Sequence, residues 1–560
     1  MSGFQGCRGA IPWRSNVTLA LAMASIMLVA ATGVGSQIAS PLANISGDFH
    51  STSSILSSLQ VSSGPIASPG YFNGAFSYLN PIAATSNESP LTEFPCDLGK
   101  DPFTELSFTP STNFGASQKQ NLRVTFVFET TCGATPFAGT WTYGDGNTST
   151  QGTPNGTVSS GPIVYRWWNY THTYHYIGSF IAGMSITDGD GVKAAAGTNI
   201  YVSFVPSLFY SFYNESGLIG RGYTGTTYSI GLIEECINGV PNSQYQQDLN
   251  KFDSTFNLSS ATITFVSANH NTCSNPTRDD QIEEDLDIEW AHVAAPGAKL
   301  YVCTDTLDSY YGELNCENLF YHNRNASLYN TMIVSSSYEN CSIGDARAPL
   351  TNAPECQNGP DTYAANWSAA ESAGMTILNS VGDWTQDGCL KAAYPASTPY
   401  VLAVGGTTVT GVGGGGTYGS EAAWYNSTPT PQCYLNIHQP ENAFPPGETA
   451  GNNSYYRNGS WQPGTWGAGN RYFPDVSLEA NFSTGVPIVY NGSWWIVGGT
   501  SLGAPVWAGI LDVLFQFAPH GLSGFAVPFL YSRASCFHII LNHAGTQDGL
   551  GTPNVGCIAG

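Results

Sequence analysis

"DDQIEEDLDIEWAHVAAPGAKLYVC", from Asp279 to Cys303, joins two kinds of pattern. Ile282, Leu286, Trp290 and Val293 recur at spacings of 4, 4 and 3, the repeat of a helix buried on one side. Pro296 and Gly297 end that helix. "AKLYVC" then reads as a short apolar strand. "TTYSIGLIEE", "TMIVSSSY", "GMTILNS" and "YVLAVGGTTV" are further strands of this kind. Helical patterns lie between them, such as "DTYAANWSAAESAG", closed by Gly374. Alternating strands and helices predict an α/β domain with a mostly parallel sheet covered on both faces. The pattern holds from Val205 onward, so residues 205–560 read as one large domain.

Ahead of it the pattern changes. Residues 121–204 carry "LRVTFVFET", "GTWTYGDGNTST" and "HTYHYIGSFIAGMSITDGDG", short alternating strands with Asp-Gly turns. They predict an immunoglobulin-like β-sandwich. "WTYGDG", "HTYHYIGSF" and "ITDGDG" resemble the PKD domain, a module that usually serves as a spacer or a surface-binding unit. Its aspartates read as turn formers rather than calcium ligands. Residues 36–120 are Ser/Gly/Asn-rich and irregular, a possible short pro-region. Residues 1–35 hold "MSGFQGCRGAIPWRS", with two Arg and no acids, then the uncharged "VTLALAMASIMLVAATGVG". That is a signal peptide or a membrane anchor, which predicts an extracellular or cell-surface location. No later stretch reads as long and apolar enough to span a bilayer.

The totals fit export. Twelve cysteines from Cys96 to Cys557 are widely spaced and contain no C-x-x-C pair, so they read as disulfides of unspecified pairing. About sixteen Asn-x-Ser/Thr sites predict some glycosylation. Lys and Arg number 17 against 40 Asp and Glu, a net charge of −23. Nucleic acid is excluded as a partner, because phosphate binding needs clustered cations. The charge balance also suits an acidic medium, where carboxylates are protonated and few cations remain to repel one another.

"VGGTSLGAPVWAGI", Val497 to Ile510, carries the first chemical signal. Two glycines permit a tight turn, and a helix is predicted from Gly503 to Phe517, with Pro505 in its first turn. Ser501 then sits at a helix N-terminus, where its amide can meet a developing oxyanion. A simple capping role is the alternative. A subtilase has the same G-T-S-x-x-x-P element, but it also needs a His motif and an Asp on an early strand, and neither occurs here. The acidic helix offers another base. Glu283 and Asp287 are four apart and share one face. Like charges raise one pKa, and a carboxyl pair can work as acid and base. Ala291 and Ala294 run alongside, small enough for close packing. Glu284, Asp285 and Glu289 read as solvated.

Residues 205–554 resemble the sedolisins, the serine-carboxyl peptidases with a subtilisin-like fold. The resemblance rests on seven motifs in order: "VPSLFYSFYN", "EEDLDIEWAHVAAPGAKL", "IVSSSY", "NSVGD", "YPASTPYVLAVGGT", "FPDVS" and "GGTSLGAP". It implies Ser501 as nucleophile, Glu283 as general base and acid, and Asp287 as the carboxylate hydrogen-bonded to it. It implies that Asp383, in "NSVGDWTQDG", lines the oxyanion hole in protonated form. The implied activity is endopeptidase cleavage of proteins or peptides in acid through an acyl-enzyme, and the implied fold is subtilisin-like. A catalytically silent surface or adhesion protein on the same scaffold is the alternative. The family usually has a long prodomain, which this chain lacks in recognisable form, and a C-terminal calcium site. Here "CFHIILNHAGTQDGLGTPN" places Ile539 where an Asp would stand and leaves Asp548 alone. Calcium takes six to eight oxygens, so no cofactor is expected. Oligomeric state and cleavage preference are not specified by these residues.

Overall fold

The computed structural model describes residues 122–131, 133–160, 163–175, 177–237, 239–268, 278–305, 310–325, 330–338, 341–344, 361–383, 391–424, 448, 451–464, 466–518, 524–541 and 547–560, with two short strands at 83–84 and 104–109. The expected export segment, residues 1–35, lies outside the described residues. So does most of the segment 36–120.

Nine strands make two antiparallel sheets. One joins β2 (Thr104–Thr109), β3 (Leu122–Thr131), β6 (Gly156–Ser160) and β7 (Ile163–Tyr174) in the order β2-β3-β7-β6. The other joins β1 (Ala83–Ala84), β4 (Ala138–Thr142), β5 (Thr148–Thr150), β8 (Gly178–Thr187) and β9 (Lys193–Val202) in the order β1-β9-β8-β4-β5. Alternation explains the layering: along β4, exposed and buried residues alternate, with Trp141 inward. Phe126, Phe128 and Trp168 of one sheet share a core with Trp141, Met184 and Ile200 of the other. The turn aspartates hold their own turns. Asp188 accepts the amides of Ala134, Asp190 and Val192, and Asp145 accepts the amide of Asn147. Two strands of this sandwich, β1 and β2, come from the segment that reads as irregular.

From Pro206 the chain is α/β. β10 (Ser229–Glu235), β11 (Ile263–Ser267), β12 (Lys299–Asp305), β13 (Thr331–Ser336), β14 (Thr376–Ser380) and β15 (Leu402–Val412) line up as β11-β12-β10-β13-β14-β15. Every pairing among them is parallel. β16 (Tyr418–Ala423) closes one edge antiparallel to β15, and β17 (Val476–Glu479) adds in parallel to the middle of β15. β10 is buried along its whole length, as a central parallel strand must be. Helices α1 (Asn242–Phe256), α2 (Arg278–Ala294), α3 (Tyr310–Asn323), α4 (Asp361–Ser372) and α5 (Thr500–Phe517) accompany the sheet. The disulfide Cys303–Cys316 ties β12 to α3, and Cys536–Cys557 fastens the C-terminal segment.

Three expectations change. The acidic helix α2 is buried all round rather than on one side. Glu284 and Asp285 are 2% exposed and Glu289 is fully buried. The reason is that α2 lies between α1, α5 and the hairpin of β18 (Val486–Tyr490) and β19 (Ser493–Val497), which leaves no face for water. The helix of Ser501, α5, starts at Thr500, three residues before the expected Gly503, so Pro505 falls in its second turn. By length and composition α5 could cross a membrane, contrary to the sequence reading, but it is enclosed in the protein core.

α2 and α5 touch backbone to backbone. A Cβ on Gly509 would lie 2.5 Å from the Ala294 Cβ and 2.9 Å from the Ala291 carbonyl oxygen. The small residues expected to permit close packing therefore meet a glycine of α5.

Candidate active site

Parallel strands bring their carboxyl ends to one edge of the sheet, where open α/β folds place their ligands. Glu234 lies near that end of β10. Ser337 and Tyr338 follow β13, and Asp383 follows β14 by three residues. α2 and α5 cross behind this edge and supply Glu283, Asp287 and Ser501. All four side chains expected at the site are buried there: Asp287 fully, Ser501 and Asp383 at 3% exposure, Glu283 at 7%.

Gly499 caps α5 at φ +127°, a backbone conformation that favours glycine. Its amide donates to the Ala480 carbonyl at 2.6 Å, which fixes the turn into α5. Ser501 is the second residue of the helix, so its N–H has no acceptor within the helix. Pro505 has no N–H to give the Ser501 carbonyl four residues back. The Ser337 hydroxyl stands in: it donates to Asp287 Oδ2 at 2.8 Å and lies 3.2 Å from the Ser501 carbonyl oxygen. One serine thus ties the acidic helix to the helix of Ser501.

The Ser501 hydroxyl lies on the Glu283 carboxyl's side of the site and favours its ionised form. Burial pushes the Glu283 pKa well up, the charge of Asp287 adds to the rise, and the Ser501 hydroxyl opposes it. Burial lifts Asp287 to about 8, against the hydrogen bonds from Ser337 and Glu234. Glu234 is also driven well up, first by burial and then by Asp287, Glu284 and Glu283, and it holds its proton toward Asp287. The Tyr338 hydroxyl donates to Glu234 Oε2 at 3.4 Å. Ser501, Glu283, Asp287, Glu234 and Tyr338 are therefore linked neighbour to neighbour. Such interacting carboxyls take up and release protons as a unit.

Asp383 meets the N-terminus of α5 at Thr500. Burial raises its pKa to about 7, while two hydrogen bonds from Thr500 oppose the rise. The Thr500 amide and hydroxyl both donate to Asp383 Oδ1, at 2.8 and 2.7 Å. Asp383 Oδ2 is buried and meets no hydrogen-bond partner among the described residues.

Glu234, Ser337 and Thr500 are additions to the residues expected from sequence. The signals were an acidic pair ending a buried strand, a serine run ending another, and the residue before the candidate nucleophile. His292 takes no part: its Nε2 sits 2.7 Å from the Ser259 carbonyl oxygen and 3.2 Å from Asp253. Near the C-terminus, Ile539 is 63% exposed and Asp548 is buried. Among the described residues no group of three or more His, Cys, Asp or Glu side chains could hold a metal ion.

No family model matches the chain. Sedolisin of Pseudomonas sp. (strain 101) is 27% identical over 349 residues, which cover 59% of this chain and 53% of that protein. Kumamolisin of Bacillus sp. (strain MN-32) is 31% identical over 254 residues, 42% of this chain and 39% of that protein. The chain spans about half the length, or less, of these curated relatives. Among solved structures, Pseudomonas sedolisin, a serine-carboxyl proteinase complexed with two molecules of pseudo-iodotyrostatin, matches 64% of this chain and 97% of its own, with a TM-score of 0.52 and 23% identity. That likeness supports a sedolisin-type, subtilisin-like fold for the α/β unit.

Proposed function

We propose that this chain is a serine-carboxyl endopeptidase that hydrolyses peptide bonds of proteins or peptides in acid. One observation carries the reading: a buried serine at a helix N-terminus is neighboured by a buried carboxyl, Glu283, that belongs to a proton-holding carboxyl network and not to an imidazole. The relatives' names point to the same class.

In this mechanism Ser501 Oγ attacks the peptide carbonyl carbon, and its proton passes to ionised Glu283. The Ser501 hydroxyl is what favours that ionised form. Asp287, held by Ser337, and Glu234 keep their protons near and orient Glu283. The carbonyl oxygen becomes an oxyanion that accepts from the Ser501 amide and from a proton on Asp383. The C–N bond breaks as Glu283 gives its proton to the leaving amine, and an acyl ester remains on Ser501. Water then attacks the ester, Glu283 takes the water's proton and returns it to Ser501 Oγ, and the acid product leaves.

Asp383 must be protonated to donate, so activity falls as pH rises through about 7. On this reading the N-terminal 35 residues direct export, and the β-sandwich is a PKD-like spacer or surface-binding module. Calcium is not part of the proposal, because Ile539 stands where the family's first calcium-site Asp would be.

The test is a pH–rate profile on an acid-denatured protein substrate for wild type, Ser501→Ala and His292→Gln. Wild type should peak in acid, Ser501→Ala should be inactive, and His292→Gln should keep its activity per folded molecule. Equal rates for wild type and Ser501→Ala, or an optimum above pH 7, would refute the assignment.

A further inference from the structure

Which oxygen of Asp383 carries the proton decides whether that carboxyl can help at all. We infer that Thr500 is a positioning residue that confines the proton of Asp383 to Oδ2, the oxygen free to meet an oxyanion; the inference rests on the endopeptidase reading above.

The geometry supports this in three steps. The Thr500 amide can only donate, and it points at Asp383 Oδ1 from 2.8 Å. The Thr500 hydroxyl points at the same oxygen from 2.7 Å. Its own direction is set by the Gly382 amide, which donates to Thr500 Oγ1 at 3.1 Å and leaves the hydroxyl hydrogen for Asp383. An oxygen that accepts two hydrogen bonds is the carbonyl oxygen of a neutral carboxyl, because the hydroxyl oxygen is the weaker acceptor. The proton therefore resides on Oδ2, which has no hydrogen-bond partner among the described residues. The group is prepared before substrate arrives, which is what electrostatic stabilisation of a transition state requires.

Thr500 is fully buried, and no capping bond from a side chain precedes it in α5. A purely structural threonine would need only one of these contacts to close the loop onto the helix. Here both donors converge on one oxygen. Among the described residues, the titratable group facing Asp383 from α2 is Glu283, whose pKa Asp383 raises in turn. From α5 it meets Thr500 and the Ser501 end of the helix.

The experiment uses the full chain with three variants: Thr500→Val removes the hydroxyl at equal shape, Thr500→Ser keeps it, and Thr500→Ala replaces Val if Val fails to fold. The first readout is the infrared C=O stretch of protonated Asp383, measured in a Ser501→Ala background and isolated by subtracting an Asp383→Asn spectrum. The carbonyl loses one of its two hydrogen bonds in Thr500→Val, so the band should move to higher frequency, while Thr500→Ser leaves it in place. If the band does not move in Thr500→Val, the carbonyl oxygen is Oδ2 and the inference is wrong. The second readout is kinetic, in the Ser501 protein. Thr500→Val should lower kcat at least tenfold with little change in KM, and it should move the alkaline limb upward, because the hydroxyl favours ionised Asp383. Thr500→Ser should restore kcat. An unchanged kcat in a folded Thr500→Val protein overturns the positioning role. Absence of any peptidase activity in wild type would sink the functional reading instead, and the infrared band would still decide where the proton lies.

Discussion

Asp512→Asn should leave the protein's stability nearly unchanged at pH 4 and raise it markedly at pH 7. Asp512 lies on α5, four turns or fewer from either helix end, and is fully buried. Its Oδ1 accepts the Tyr228 amide at 3.0 Å, and Oδ2 meets no hydrogen-bond partner among the described residues. Burial raises its pKa from 3.8 to about 7, and only the Tyr228 amide opposes the rise. The sign follows from linkage. A carboxyl whose folded pKa exceeds its unfolded value contributes stability that is fully present below the unfolded pKa and is lost as pH rises through the folded one. The window here runs from about 4 to about 7. Each pH step within it costs about 1.4 kcal/mol, so the loss by pH 7 reaches up to about 4 kcal/mol. Asparagine keeps the acceptor for Tyr228 and puts an uncharged NH2 where the buried acid had its O–H, so it escapes that loss. Denaturant unfolding of Ser501→Ala and of Ser501→Ala with Asp512→Asn, at half-unit pH steps from 4 to 7, measures the difference free of self-digestion. The two curves should diverge with rising pH by about 4 kcal/mol in all, on the order of 5 °C or more in Tm. A constant offset across the range would show that Asp512 ionises as an ordinary carboxyl, and the claim of a proton-dependent core would fall.

Two further substitutions probe how the helices hold the site. Ser337→Ala removes the hydroxyl that serves both Asp287 and the Ser501 carbonyl. It should lower kcat by roughly 2- to 10-fold, the range for losing a hydrogen bond between neutral groups, with KM nearly unchanged; a full kcat would refute the bridge. Gly509→Ala pushes a methyl to 2.5 Å from the Ala294 Cβ. Overpacking of that kind costs about 1–3 kcal/mol. Because α2 and α5 carry the proposed base and nucleophile, kcat should fall more than stability does, read as activity per folded molecule; unchanged kcat would mean the helices part without moving the site.

The same linkage explains why the acidic composition is more than a surface property. Glu284 and Glu479 are also raised by burial, each to about 8. Glu479 accepts the Val409 amide and the Thr484 hydroxyl deep in the β15–β17 layer. These groups favour the folded state when protonated and oppose it when ionised. Their stability is present below about pH 4 and is lost as pH rises through about 8. The fold and the proposed chemistry thus prefer the same side of neutrality.

Much of this architecture is local, and the sequence displays it. Apolar runs marked β10, β12, β13, β14 and β15, and helical repeats marked α2 and α4, because periodicity depends only on near neighbours along the chain. Ser501, Glu283, Asp287 and Asp383 were visible as residue types in motif contexts, and the structure gathers them at one sheet edge. What periodicity does not encode is which second surface covers an element. The 3.6-residue repeat of α2 identifies one apolar face, but the hairpin and α1 that cover the other face come from distant segments. Glu284, Asp285 and Glu289 therefore read as solvated and are in fact buried. The roles of Ser337 and Thr500 have the same origin. Ser337 reaches Ser501 across 164 residues of chain, and Thr500 reaches Asp383 across 117. Hydrogen-bond partners and desolvation arise from packing between remote segments, so the sequence by itself determined the elements and the candidate groups, and the tertiary structure alone decided their burial and their partners.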